Sequence, residues 1–228
     1  MKIVVAVLLV VAAVVAGAVL FTRDDNSGPT TNASGSGTTV APETPELTFK
    51  IEKALPIRVT PTQSPKKLAA AATAAGASAV DVIDTIYTEG YLDPSSWDGG
   101  NYDDAWTQFT DDAATQAEAH ADVLTAGPAA GDAYTTIEPA KALVKPRVLM
   151  DDAGKAVSVE AVVTFTAKGM HDDGSFTLFK STGHYFLKRD GSDWKVVAFQ
   201  VHRDDSEQPA PSPSAGATAS SEPTGSPS

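Results

Sequence analysis

The sequence contains no cysteine, which excludes disulfide bonds, thiolate nucleophiles, zinc sites built on cysteine and lipid anchors attached to a cysteine. Basic residues are scarce. The chain has 17 lysines and arginines and 29 acidic residues, which gives a formal net charge of −12. A chain of that charge repels nucleic-acid phosphate and anionic lipid headgroups. We therefore expect no nucleic-acid partner.

Motifs with a known chemical mechanism are also missing. The chain has no glycine-rich phosphate loop, no serine nucleophile in a strained turn and no basic stripe with interleaved aromatic residues. His171-Asp172-Asp173 offers three metal ligands in a row, but consecutive turn residues rarely converge on one ion, and calcium loops need carboxylates at alternate positions. We predict a solvated turn there, and no metal or other cofactor.

A long apolar run stands near the amino terminus. Residues 3–21 are all apolar or glycine, which at helical rise is long enough to cross a hydrocarbon core of roughly 30 Å. Residues 1–23 are therefore predicted to be a signal anchor with a cytoplasmic amino terminus, because Lys2 lies on the short side. The alternative is cleavage after Ala16-Gly17-Ala18, which gives a secreted protein. Both interpretations place the remainder outside the plasma membrane.

Two segments hold too few large apolar side chains to offset the entropy of ordering them. Residues 24–45 are mostly Thr, Ser, Gly, Asn and Pro, and residues 206–228 are mostly Pro, Ser, Ala and Thr. We predict a disordered linker at 24–45 and a disordered tail at 206–228. One extracytoplasmic domain, residues 46–205, lies between them.

The first half of this domain has the apolar spacing of helices. Residues 47–51 alternate as a short extended piece, and Ser64-Pro65 then resembles a helix N-cap with proline in the first turn. Apolar residues recur at three- and four-residue spacing up to Ile86, which predicts an amphipathic helix ending near Gly90. Shorter helices are predicted behind caps at Asp93, Asn101 and Thr110.

Beyond Gly127-Pro128 the apolar period changes to two, which is the period of strands. Strands are predicted at 142–150, 155–168, 175–188 and 194–203, with a further one near 134–137. The connections are short and contain Asp and Gly, as in antiparallel hairpins. The sequence therefore predicts an α+β domain in which the helices cover one face of a four- to five-stranded antiparallel meander.

The last strand begins at a tryptophan after an Asp-Gly turn, in Asp190-Gly191-Ser192-Asp193-Trp194-Lys195-Val196. This turn, Tyr91-Leu92-Asp93, Phe109 and the order of helices before a long meander resemble the nuclear transport factor 2-like superfamily. The resemblance covers roughly residues 64–203 and implies a sheet bent around a helix into a cone. Because one predicted transmembrane helix and a linker precede this domain, the chain is similar to membrane-anchored actinobacterial members, among them proteins associated with mammalian-cell-entry transporters.

Two functions follow as hypotheses. The first is a membrane-tethered accessory or ligand-binding domain of the cell envelope, without catalysis, that contacts another envelope protein through its sheet face or cone mouth. The alternative is a small-molecule lyase or isomerase that uses the cone cavity, since the resemblance implies an Asp or His acid–base group inside the cone. His184 and His202, on adjacent predicted strands, are the candidate catalytic residues for this alternative, because a neutral imidazole can move a proton. The non-catalytic interpretation is that His184 is a hydrogen-bonded core residue, since Leu178 and Phe186 share its strand face. In the same interpretation His202 is solvated at the end of its strand.

Large aromatic residues are the other candidates. Aromatic side chains dominate the walls of ligand pockets, but a small domain also needs them to fill its core. Core packing is the default interpretation for Trp106 and Trp194, whereas Trp97 lies in a loop rich in serine and glycine and is a candidate for a pocket rim or a partner contact. The predicted pocket residues are Trp97, Trp106, Tyr185 and Trp194.

Overall fold

The structure is a computed structural model that describes residues 44–58 and 64–210. The predicted signal anchor at 1–23 lies outside the described residues, as do nearly all of the predicted linker and most of the predicted tail. Within the described part, one helical segment, Pro65–Leu92, is long and apolar enough to cross a membrane. Its apolar face is buried in the hydrophobic core, so this segment has the packing of a core helix.

The described chain is an α+β domain, as predicted. It begins with two short strands, β1 (Lys50–Ile51) and β2 (Leu55–Arg58). The helical layer follows: α1 (Pro65–Tyr87), a π-helical turn (Thr88–Leu92), α2 (Pro94–Trp97), a 3₁₀ turn (Asp98–Gly100), α3 (Asp103–Trp106), α4 (Asp111–Ala119), α5 (Ala121–Leu124) and α6 (Ala130–Ala133). Four long strands complete the domain: β3 (Thr136–Met150), β4 (Ala156–Met170), β5 (Phe176–Asp190) and β6 (Asp193–Gln208).

Helix α1 begins where the sequence predicts it. The Ser64 side chain accepts a hydrogen bond from the backbone N–H of Lys67 at 3.4 Å, and Pro65 occupies the first helical position. The predicted apolar face is buried against the sheet, with Ile83 and Ile86 fully covered. The α-helix ends at Tyr87, and the π-helical turn carries the chain to Leu92, two residues beyond the predicted end.

The four long strands pair as the predicted antiparallel meander, in the order β3-β4-β5-β6. Each hairpin contains an Asp and a Gly in its turn. Between β5 and β6, for example, Asp190 pairs with Asp193, and Gly191 adopts a φ of +61°, which glycine reaches without the Cβ clash of other residues.

The edge of the sheet differs from the prediction. Strands β1 and β2 both pair with β3 in parallel, and Pro146, which has no N–H, lies between the two paired stretches. The separate strand predicted at 134–137 is instead the beginning of β3. Residues 206–208, predicted as tail, belong to β6, where Gln208 pairs with Phe176.

Alternation along the strands gives the sheet two distinct faces. The inner face, which packs against α1, carries Val144 and Val148 of β3, Val159 to Phe165 at alternate positions of β4, and Phe179, Tyr185 and Leu187 of β5. The outer face carries the residues between them and is exposed or half-exposed. Two surfaces can therefore hold functional groups: the space between helix and sheet, and the outer face.

Candidate functional site

Aromatic rings fill the space between α1 and the inner face. The ring of Tyr87 lies 4.8 Å from that of Phe165 and 5.6 Å from that of Tyr91, centre to centre, and Tyr91 lies 5.8 Å from Phe179. Phe49 closes the cluster from the segment before β1, with its ring 5.5 Å from Tyr87. All of these side chains are buried. The space between α1 and the sheet is therefore occupied by side chains.

The hydroxyl groups inside this cluster are bonded to the protein. The Tyr87 hydroxyl lies 2.9 Å from Ser181 Oγ, Tyr185 donates to the Tyr87 hydroxyl at 3.3 Å, and Tyr91 donates to the carbonyl of Val123 at 3.2 Å. Burial raises the pKa of Tyr87, Tyr91 and Tyr185, so all three are neutral at physiological pH. The bonds of Tyr87 join the end of α1 to β5, and the bond of Tyr91 joins the π-helical turn to α5.

His184 lies on the outer face, which corrects its expected position inside the cone. Its neighbours Gly183 and Tyr185 point inward, so strand alternation turns His184 outward, and 44% of its side chain is exposed. Its Nδ1 lies 2.8 Å from Glu160 Oε1, and Arg147 donates to the other oxygen of Glu160 at 3.2 Å. The bond from His184, followed by that from Arg147, lowers the pKa of Glu160.

His202 lies on the same outer face, on β6, and not inside the domain as expected. Its side chain is 73% exposed, and its Nε2 lies 3.1 Å from Asp204 Oδ1. His171, at the start of the β4–β5 turn, has both ring nitrogens engaged, with the carbonyl of Ala133 at 2.8 Å and Thr177 Oγ1 at 2.9 Å. Among the residues that the structure describes, no three His, Asp or Glu side chains are grouped as metal ligands.

The predicted pocket residues are mostly core residues. Trp97, Trp106 and Tyr185 are buried, and Trp106 packs edge-on against Phe109 with ring centres 6.0 Å apart. Trp97, expected at a rim, is only 3% exposed. Trp194 is also buried, but it lines a surface groove.

The groove at Trp194 runs between α1 and the β5–β6 turn and encloses about 400 Å³. One wall is a single face of α1, because Ser78, Asp81, Val82 and Thr85 recur at helical spacing. The other wall is formed by Gln108 and by residues on both sides of the turn: Arg189, Ser192, Asp193, Trp194 and Lys195. A cavity of this size falls within the range of small-molecule sites.

Exposed apolar side chains concentrate on the outer face, at the β2 edge and near the centre. Leu55 and Ile57 of β2 stand beside Leu149 of β3, and Phe186 of β5 pairs with Glu160 of β4. Leu55 is 55% exposed and Phe186 is 41% exposed. Arg147 and Glu160 lie between Leu55 and Phe186, so the outer face has an apolar group at the β2 edge and a separate exposed aromatic ring on β5.

Charge is segregated between the two layers of the domain. Residues 68–140, which include most of α1 and all the shorter helices, contain 13 Asp and Glu residues and no Lys or Arg. No salt bridge joins one of these carboxylates to a basic group within the described residues. The outer face holds basic side chains instead: Lys141, Lys145, Arg147, Lys168, Lys180 and Lys188. The net charge of the whole chain conceals this basic face, although the absence of Lys and Arg from 68–140 is visible in the sequence.

Comparisons of the chain with protein-family models, with curated proteins and with solved structures found no match.

Proposed function

We propose that this chain is a membrane-tethered accessory domain of the cell envelope, which acts by binding another envelope protein and has no catalytic activity of its own. The observation that carries the proposal is the filled interior. Tyr87, Tyr91, Phe165 and Phe179 occupy the space where a cone enzyme holds its substrate, and both candidate histidines point away from it. Binding at the surface is the function that this arrangement favours.

The outer face is the proposed contact surface. Its exposed apolar side chains, Phe186 in particular, offer the large anchor groups around which protein interfaces are built. The charges next to them are already paired, with Lys145 Nζ 3.2 Å from Glu52 Oε2 and Arg147 Nη1 3.2 Å from Glu160 Oε2. A partner can therefore cover the surface around Phe186 without leaving Arg147 or Glu160 buried and unpaired.

The basic residues define the chemistry of the partner. Lys180 and Lys188 lie on the same strand as Phe186 and have no salt bridge within the described part of the chain. An apolar surface bordered by Asp or Glu complements this arrangement, and such complementarity speeds association and selects the partner. The helical layer, which is acidic, repels the same partner.

Site-specific photo-crosslinking tests the contact surface. A photoreactive phenylalanine analogue at position 186 is expected to cross-link the full-length protein to a membrane or envelope protein in intact cells. The matched control carries the analogue at position 118, in place of the exposed Glu118 of α4 on the helical layer. Equal cross-linking from both positions, or none from position 186, contradicts the proposed surface.

Cell fractionation tests the tether. The full-length protein is expected in the membrane fraction, and protease added to intact protoplasts is expected to digest the domain. Both results follow from retention of residues 3–21 as a membrane anchor. Recovery of most of the protein in the culture medium, with Val19 as its first residue, contradicts anchoring.

A further inference from the structure

The groove at Trp194 presents opposite charges on its two walls. Asp81 stands on the α1 wall, while Arg189 and Lys195 stand on the wall formed by the β5–β6 turn. No salt bridge joins Asp81 to either cation within the described residues. The two walls are therefore held apart with their charges facing a common space.

Arg189 and Lys195 both donate hydrogen bonds to uncharged backbone carbonyls. Arg189 donates to the carbonyl of Ser192 at 2.9 Å, and its guanidinium lies 5.0 Å from the centre of the Trp194 ring. Lys195 Nζ donates to the carbonyl of Thr107. Carboxylates bind such groups more strongly than carbonyls do, because the hydrogen bond is then charge-assisted on both sides. Each cation keeps the capacity to bind an anion that enters the groove.

Trp194 lines the groove with the small part of its side chain that is exposed. The residue is 4% exposed, and its indole N–H, which has no hydrogen-bond partner within the described residues, is itself buried. Trp194 therefore contributes apolar surface to the groove, and the charged groups of the two walls determine which ligand it favours.

We propose that this groove binds a small zwitterion, an amino acid or a short peptide with free termini. The ammonium group lies towards Asp81, the carboxylate lies towards Arg189 and Lys195, and the apolar part lies against Val82 and the Trp194 ring. A simple anion would meet Asp81 and Asp193, and a simple cation would meet the two basic residues. Only a ligand with both charges satisfies both walls. This site goes beyond the proposed accessory function, because the outer face takes no part in it.

Calorimetry with dialanine tests the proposal on the full-length protein in detergent micelles. Dialanine is expected to bind, and N-acetyl-dialanine and dialanine amide, which each lack one charge, are expected to bind at least 10-fold more weakly. D81N and R189Q are each expected to weaken dialanine binding at least 10-fold. The matched control D112N removes an exposed carboxylate of α4 outside the groove and is expected to change the affinity less than 2-fold.

Three results overturn the proposal: no heat of binding with dialanine, equal affinity for the capped peptides, or equal weakening by D112N and D81N. The capped peptides are measured on the unaltered protein. They therefore test whether binding needs both charges of the ligand, even if R189Q disturbs the β5–β6 turn. Failure here leaves the cross-linking and fractionation results untouched. Failure of those experiments, in turn, does not bear on this groove.

Discussion

Tyr87 occupies the centre of the inner face, where α1 ends. Its ring contacts those of Phe49, Tyr91 and Phe165, and its hydroxyl is bonded to both Ser181 and Tyr185. These bonds join the end of α1 to the middle of β5, which lies far away in sequence. The hydroxyl is therefore as important to the fold as the ring.

The Tyr87→Phe substitution tests this role. It keeps the ring but leaves Ser181 and Tyr185 without their shared partner, and we expect the free energy of unfolding to fall by about 1–3 kcal/mol. Tyr134→Phe is the control, because the Tyr134 hydroxyl has no hydrogen bond within the described residues. It is expected to change stability by less than about 0.5 kcal/mol. Urea denaturation measures both, and similar losses in the two variants would contradict the assignment.

The environment of Glu160 makes the stability of the fold depend on pH. Its folded-state pKa is lowered below the ordinary value of 4.5, so its bonds to His184 and Arg147 stabilise the fold fully above that value. This stability is lost as the pH falls through the folded-state pKa. We expect Glu160→Gln to be less stable than the unaltered protein by about 1 kcal/mol or less at pH 7, with a difference that shrinks below pH 4.5.

Denaturation curves between pH 3 and pH 7 measure this difference. Glu207→Gln is the control, because Glu207 is an exposed residue of β6 with no ion pair in the described part of the chain. Its stability is expected to follow that of the unaltered protein at every pH. A constant gap for Glu160→Gln down to pH 3 is the result that excludes the linkage.

At the scale of the element, Gly183 of β5 packs against β6 with no room for a side chain. A Cβ added there would lie 2.8 Å from the backbone oxygen of Gln200 and 2.7 Å from a methyl group of Val201. Real side chains do not tolerate such distances, and a backbone oxygen within a strand pair cannot move aside alone. Glycine at this position allows the two strands to pair continuously.

The Gly183→Ala substitution is therefore expected to destabilise the domain by about 1–3 kcal/mol, because the two strands must separate to admit one methyl group. Thr182→Ala is the matched control, since Thr182 is the preceding residue of β5 and points to the exposed outer face. Thermal unfolding compares the two variants. If Gly183→Ala is as stable as Thr182→Ala, the strand contact is looser than described.

The elements that depend on local chemistry were predictable from the sequence. The Ser64 cap, the Asp93 cap and the Asp-Gly hairpin turns all lie where short-range rules place them. The parallel pairing of β2 with β3 could not be predicted, because it joins residues about 90 positions apart and no local sequence pattern indicates it. The position of His184 was missed for another reason: Phe186 and Leu178 share its strand face, and apolar neighbours there suggested an inward direction.

At the scale of the whole molecule, the helical layer is under electrostatic repulsion. Between residues 68 and 140 it carries carboxylates and no lysine or arginine, and Glu118 stands near the C-terminal end of α4, where the helix dipole also disfavours a negative charge. Most of the strand lysines and arginines lie on the opposite side of the sheet, although Arg189 and Lys195 approach the helical layer at the groove. A basic residue introduced into the helical layer should therefore stabilise the fold.

Glu118→Lys is expected to raise the free energy of unfolding by about 0.5–1 kcal/mol at low salt, and Glu118→Gln by roughly half as much. Both gains are expected to shrink in about 0.5 M NaCl, since salt screens exposed charges. Urea denaturation at two salt concentrations measures them. A gain that is independent of salt would point to helix propensity as the cause.

The parallel pairing of β1 and β2 with β3 also determines the order in which the domain can be assembled. Each hairpin from β3 to β6 joins neighbours in sequence and can form quickly, whereas β2 must find residues 147–150 across the whole helical layer. Because a chain is made from its amino terminus, β1, β2 and α1 emerge long before the strand that completes them. Until β3 arrives, the apolar face of α1 has no sheet to cover it, so the first third of this domain is the part that stays longest without its packing partner during synthesis.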